Sequence, residues 1–80
     1  MDMTTEKMEH LARRAATEAE LPLLKVLWVQ CDSNLMWEVT FADHSNVMVT
    51  VIVDTHDFNN EDVIRHEIKR QILGRGVSFA

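Results

Sequence analysis

The 80-residue sequence predicts an α+β fold of order α-β-β-β-α, a three-stranded antiparallel meander with both helices packed on one face. Residues 24–31, 35–41 and 47–53 are strand-like runs. The links between them are turn-rich and too short for crossover helices, so neighbouring strands must be antiparallel. On either side of the runs, apolar residues recur at helical spacing. A chain of this length removes only roughly 60% of its unfolded surface from water, enough for one core. Residues 1–80 therefore read as one domain, with 1–3 and 75–80 as tails.

The first helix starts at Thr4 or Thr5, whose hydroxyl can accept from orphan backbone N–H groups, and Glu6 and Glu9 suit the positive helix end. Met8, Leu11, Ala12, Ala15, Ala16 and Ala19 form a stripe of mainly small residues that permits close approach to a sheet. Glu9 is spaced to pair with Arg13. Pro22 stops the helix, because it lacks an N–H and restricts Leu21 before it.

The first strand has two readings. A two-residue turn after it sends Leu24, Val26 and Trp28 inward, whereas a three-residue turn sends Leu27, Val29 and Cys31 inward. Either way apolar surface is left over, which is unusual for an antiparallel sheet with one wet face. In the second strand Leu35, Trp37, Val39 and Phe41 face the core, and Met36, Glu38 and Thr40 face away. In the third, Val47, Val49, Val51 and Val53 alternate with Met48, Thr50 and Ile52. A three-residue loop of Asp43, His44 and Ser45 aligns the two apolar faces and opposes Val39 with Val49.

For the second helix Asn59 is the cap, Glu61 and Asp62 fill the first turn, and Phe58 staples onto Val63. Ile64, Ile68 and Ile72 share one face, Lys69 and Arg70 suit the negative end, and Gly74 terminates. Val77 and Phe79 alternate with Gly76 and Ser78, an extended pattern in the tail.

Thirteen acids against eight bases give a net charge of −5. That balance repels phosphates and opposes binding to nucleic acid or anionic membrane. The opening residues lack a signal-peptide core, and no apolar stretch is long enough to span a bilayer. One cysteine, Cys31, cannot form an internal disulfide, so a reducing cytoplasm is the expected compartment.

Asp54, His56 and Asp57, with His66 on the second helix, are suitable ligand types for a divalent ion. No paired histidine spacing or thiolate cluster fixes a geometry, so they read as a solvated loop before a capped helix. Glu67 and Lys69 superficially match the Glu-x-Lys element of metal-dependent nucleases, but on a helix their side chains diverge by about 200°. His66 and Glu67 lack the second histidine one turn away that zinc-protease chemistry needs. Cys31 has no base beside it in sequence and reads as a packing residue. Gly74 and Gly76 follow the last helix and cannot form a phosphate loop opening one. No catalytic residue, metal, cofactor or enzyme activity is expected.

The order of elements resembles the double-stranded RNA-binding domain, in which two helices pack on one face of a three-stranded antiparallel sheet. That resemblance spans most of the chain and implies the architecture. In that family lysines at the start of the second helix grip phosphates; the matching stretch here is Asn59, Asn60, Glu61 and Asp62, whose carboxylates oppose RNA. Arg13, Arg14, Arg65, Lys69, Arg70 and Arg75 read as solvated helix surface. Asp43, Asp54, Asp57, Glu61 and Asp62 collect at two connections and a helix start.

The expected function is a small acidic, non-enzymatic protein–protein interaction module, a homodimer or stoichiometric regulator. It would use its open sheet face or first-strand edge, through Leu27, Val29, Met36, Glu38, Met48, Thr50 and Ile52. Methionines adapt to a partner's shape, and apolar residues ringed by polar ones resemble an interface core and rim. The alternative is an acidic, phage-type inhibitor of a nucleic-acid-handling machine, of the anti-defence or anti-CRISPR class, that mimics nucleic acid. Mimicry would fade steeply with salt, and an apolar sheet contact would survive it.

Overall fold

Thr4 caps the first helix as its hydroxyl accepts the Lys7 N–H at 3.1 Å. The computed structural model describes residues 3–21, 23–32, 35–56 and 60–74. In chain order these form α1 (Thr5–Glu18), β1 (Lys25–Cys31), β2 (Met36–Ala42), β3 (Met48–Asp54) and α2 (Glu61–Gly74). The strands make one antiparallel sheet in the order β1-β2-β3. Both helices lie on one face, α1 against β1 and α2 against β3, and they pack on each other. The predicted fold class is the observed one.

Pro22, the expected stop of α1, lies outside the described residues. The helix ends earlier, in a Schellman motif: Leu21 N–H donates to the Ala16 carbonyl at 2.9 Å and Glu20 N–H to Thr17 at 3.0 Å. Glu20 takes the left-handed position at φ 62°. A glutamate there costs about 1 kcal/mol, and Leu21, packed against the core, helps to offset it.

The two hairpins share one plan. In each, an aspartate begins a β-turn closed three residues later, at Leu35 (3.3 Å to the Asp32 carbonyl) and at Asn46 (3.1 Å to Asp43). That closing residue has positive φ, 59° at Leu35 and 64° at Asn46. The aspartate Oδ1 then accepts the next N–H, from Met36 at 3.1 Å and from Val47 at 2.9 Å. This is a three-residue loop with a left-handed third residue.

Several sequence readings change accordingly. The β2–β3 loop is His44, Ser45 and Asn46, one residue later than expected, so Val39 opposes Val51 and not Val49. Asn tolerates the left-handed position and Ser45 does not need to. Because the slip is two residues, the apolar faces still align. Leu35 and Val47 fall in the turns and are 47% and 55% exposed, not core. Trp37, Val39, Phe41, Val49, Val51 and Val53 are buried as predicted.

β1 follows neither of its two readings throughout. Up to Trp28 it has the three-residue register, with Val29 opposite Val39 and Trp28 opposite Thr40. A bulge then leaves Leu27 without a partner and sets Val26 opposite Phe41. Val26 and Val29 both pack against the core, and Leu24 is buried. Cys31, expected to pack, is exposed.

The cap of α2 is Asn60, not Asn59: its Oδ1 accepts from Asp62 N–H at 2.8 Å and Val63 N–H at 3.3 Å. Asn59, Phe58 and the tail with Val77 and Phe79 lie outside the described residues. Ile64, Ile68 and Ile72 are fully buried. Lys69 and Arg70 stand a turn short of the helix end, and Arg70 pairs with Glu67 at 2.6 Å.

The twin turns are testable against each other. Leu35→Asn should raise stability to urea by up to about 1 kcal/mol, and Asn46→Leu should lower it by about the same. Equal and opposite signs at the two sites would be the expected result.

Candidate functional site

The side of the sheet away from the helices carries Met36, Glu38 and Thr40 of β2, with Met48, Thr50 and Ile52 of β3. Beyond the bulge, β1 adds Trp28 beside Thr40 and Gln30 beside Glu38. No described element covers this face. Met48 is 61% exposed, Trp28 51% and Ile52 46%. Two polar cross-strand contacts run through it: the Thr40 and Thr50 hydroxyls at 3.2 Å, and Gln30 Nε2 donating to Glu38 Oε2 at 2.7 Å.

Met36, Glu38, Met48, Thr50 and Ile52 thus lie together where the sequence put them. Leu27 sits at the bulge, 48% exposed on the β1 edge. Val29 does not belong to the face, because the three-residue turn after β1 sets it opposite Val39 and against the core. Trp28 and Gln30 take its place, as the three-residue-turn reading of β1 implied. The pattern also differs from an apolar centre with a polar rim. Glu38 and Thr40 form a polar spine along β2, with Trp28 on one side and Met48 and Ile52 on the other. A shallow concavity of about 420 Å³ lies at one end, lined by Gln30, Cys31, Asp32, Met36, Glu38 and Ile52.

The sheet's two edges are treated differently. At β3, Gln71 of α2 reaches over the edge, accepting the Ile52 N–H at 3.2 Å and donating to the Ile52 carbonyl at 2.7 Å. One amide side chain thus occupies the backbone site that an added strand would use. At β1, no described residue supplies a strand on the outer side.

Asp54, Glu67 and Cys31, among the groups considered for chemistry, have local surroundings that the structure describes. Asp54 Oδ1 accepts from the His56 N–H at 2.8 Å, a turn of the aspartate on its own backbone. Asp57 lies outside the described residues, and among those described no group of three acidic, histidine or cysteine side chains could hold a metal. Glu67 is engaged by Arg70 and Gln71. The Arg70 hydrogen bonds hold its carboxyl below the ordinary glutamate value, against the opposing effect of partial burial. Loss of solvation, with the nearby Asp32 charge, pushes the Cys31 thiol up, the opposite of what activates a nucleophile.

The arginines of the helices carry acidic partners: Arg13 with Glu9 at 2.8 Å, Arg14 with Glu18 at 3.8 Å, and Arg65 with both Glu18 and Asp62 at 3.0 and 2.7 Å, while Arg75 lies outside the described residues. Asp43 and Asp54 sit at opposite ends of the strands, roughly 20 Å apart, and so do not build one acidic array. No described helix is long and apolar enough to cross a membrane.

Gln71→Ala should cost about 1–2 kcal/mol in urea unfolding and speed exchange of the Ile52 amide. Gln71→Glu should cost at least as much, because a carboxylate cannot donate to the Ile52 carbonyl. At Cys31, alkylation should run slower than for free cysteine despite exposure, with its pH midpoint above the usual thiol value.

Compared with family profiles, curated proteins and solved structures, the chain matches none.

Proposed function

We propose that this chain is a small, non-enzymatic interaction module that binds a partner protein stoichiometrically through the open face of its sheet. What carries the reading is the exposure of Trp28, Met48 and Ile52 on a face that no described element covers. Apolar side chains of this size on an uncovered sheet favour a cover, at roughly 25 cal/mol for each Å² removed from water.

The size of the face limits what covers it. Three strands of seven residues span roughly 300 Å², well below the about 800 Å² per partner of a standard interface. An amphipathic helix, about 10–12 Å across, suits such a strip. Glu38, Gln30 and Thr50 would orient it, because they leave lone pairs and donors open to a partner, whereas Thr40 is buried among its neighbours.

A photoactivatable residue at Thr50, in the middle of the face, tests this in cells. One protein adduct of defined mass is expected, lost when Ile52→Lys is added. The lysine faces Glu38 across the strands and so should leave urea stability within about 0.5 kcal/mol. Absence of an adduct, or an adduct insensitive to Ile52→Lys, would sink the reading.

A further inference from the structure

The outward backbone groups of the two edge strands meet different surroundings. In an antiparallel ladder alternate residues bond to the neighbouring strand, and those between them turn their N–H and carbonyl groups the other way. At the β2–β3 hairpin the Asp43 N–H donates to the Val47 carbonyl at 3.1 Å, so the odd-numbered residues of β3 bond inward and Ile52 turns out. Gln71 holds both backbone groups of Ile52 there. At the β1–β2 hairpin the Asp32 N–H donates to the Met36 carbonyl at 3.0 Å, which makes Gln30 with Glu38 and Trp28 with Thr40 the next inward pairs. Val29 and Cys31 therefore present two N–H and two carbonyl groups outward, at the two-residue period of a ladder. Among the described residues, none does for Val29 and Cys31 what Gln71 does for Ile52. The bulge at Leu27 bounds this stretch on one side and the Asp32 turn on the other, so the open site is short.

We propose that the β1 edge at Val29 and Cys31 takes an extended, basic segment of another protein as a short fourth strand. Donors and acceptors spaced in this way are matched in full by another extended backbone. A net charge of −5 disfavours a second copy of the chain and attracts a segment that carries lysine or arginine. One side of the added strand adjoins Trp28 and Gln30, which stand on the open face. An aromatic or β-branched residue beside Trp28 is the favoured cross-strand neighbour. The edge is distinct from the open sheet face, and strand addition here does not depend on that face being used.

Amide hydrogen exchange of the free full chain comes first: Ile52 should be protected, and Val29 and Cys31 should exchange near the rate of an unstructured peptide. Protection of Val29 and Cys31 in the free chain overturns the proposal, because the edge is then already filled. Short random peptides displayed on phage are next selected against the full chain. Selected peptides should carry lysine or arginine with alternating aromatic or β-branched residues, and should slow exchange at Val29 and Cys31 by about tenfold or more. They should bind Ile52→Lys as tightly as the wild type. Methylating the Val29 amide nitrogen, by joining synthetic segments 1–30 and 31–80 at Cys31, removes one outward donor and leaves the β1–β2 bonds in place. Peptide binding should weaken roughly tenfold, with far-UV circular dichroism unchanged. Cys31→Pro removes the other outward donor and should do the same. Failure to select any peptide, or binding indifferent to both changes, overturns the proposal. Loss of binding in Ile52→Lys also overturns it and assigns the peptides to the sheet face.

Discussion

The sheet has a single dry side, and the rest of the molecule is arranged around that constraint. Val39, Phe41, Val51 and Val53 are fully buried under Met8, Leu11, Ile64, Ile68 and Ile72. Each such side chain contributes roughly 1.5–3 kcal/mol relative to exposure, and in a chain this short there are few of them to set against conformational entropy. Every strand must present the correct face to that layer. The chain accepts a left-handed leucine, a left-handed glutamate and a β-bulge to meet the requirement. The buried Trp37 indole N–H, which lacks a hydrogen-bond partner among the described residues, is a further concession to packing.

Features governed by periodicity were legible in the sequence, and features governed by a single backbone conformation were not. The isoleucines of α2 repeat every four residues and the valines of β3 every two, so their burial could be read directly. The β2–β3 register turned on whether Ser45 or Asn46 closed the loop, and a shift of one loop residue moved the pairing by two. The aspartate that opens both hairpins was present in the sequence, but Leu35 at the left-handed site masked their likeness. Nothing in residues 25–31 announces the bulge, because no glycine marks it.

The same local conformations engage several of the polar groups at the connections. Asp32, Asp43 and Asp54 accept backbone N–H groups at turns, and Asn60 does so at a helix start. Asp43 and Asp54, two of the acids considered for metal or mimicry, are residues that shape the connections. In the candidate face, five of the seven predicted residues stand together because alternation in β2 and β3 is regular. Val29 was misplaced, and Trp28 missed, for one reason: the three-residue turn, not the two-residue one, decides which side of β1 is inner, and it reverses the side that the predicted interface assumed.

That reversal has a spectroscopic consequence. The two indoles of the chain are left in opposite settings, Trp37 enclosed at 5% exposure and Trp28 half in water on the uncovered face. Emission from Trp37 follows global unfolding, and emission from Trp28 follows whatever settles on the sheet. A Trp28→Phe variant isolates the first signal, and the difference from wild type isolates the second. Assembly and unfolding can therefore be followed separately in the same sample, without an added label.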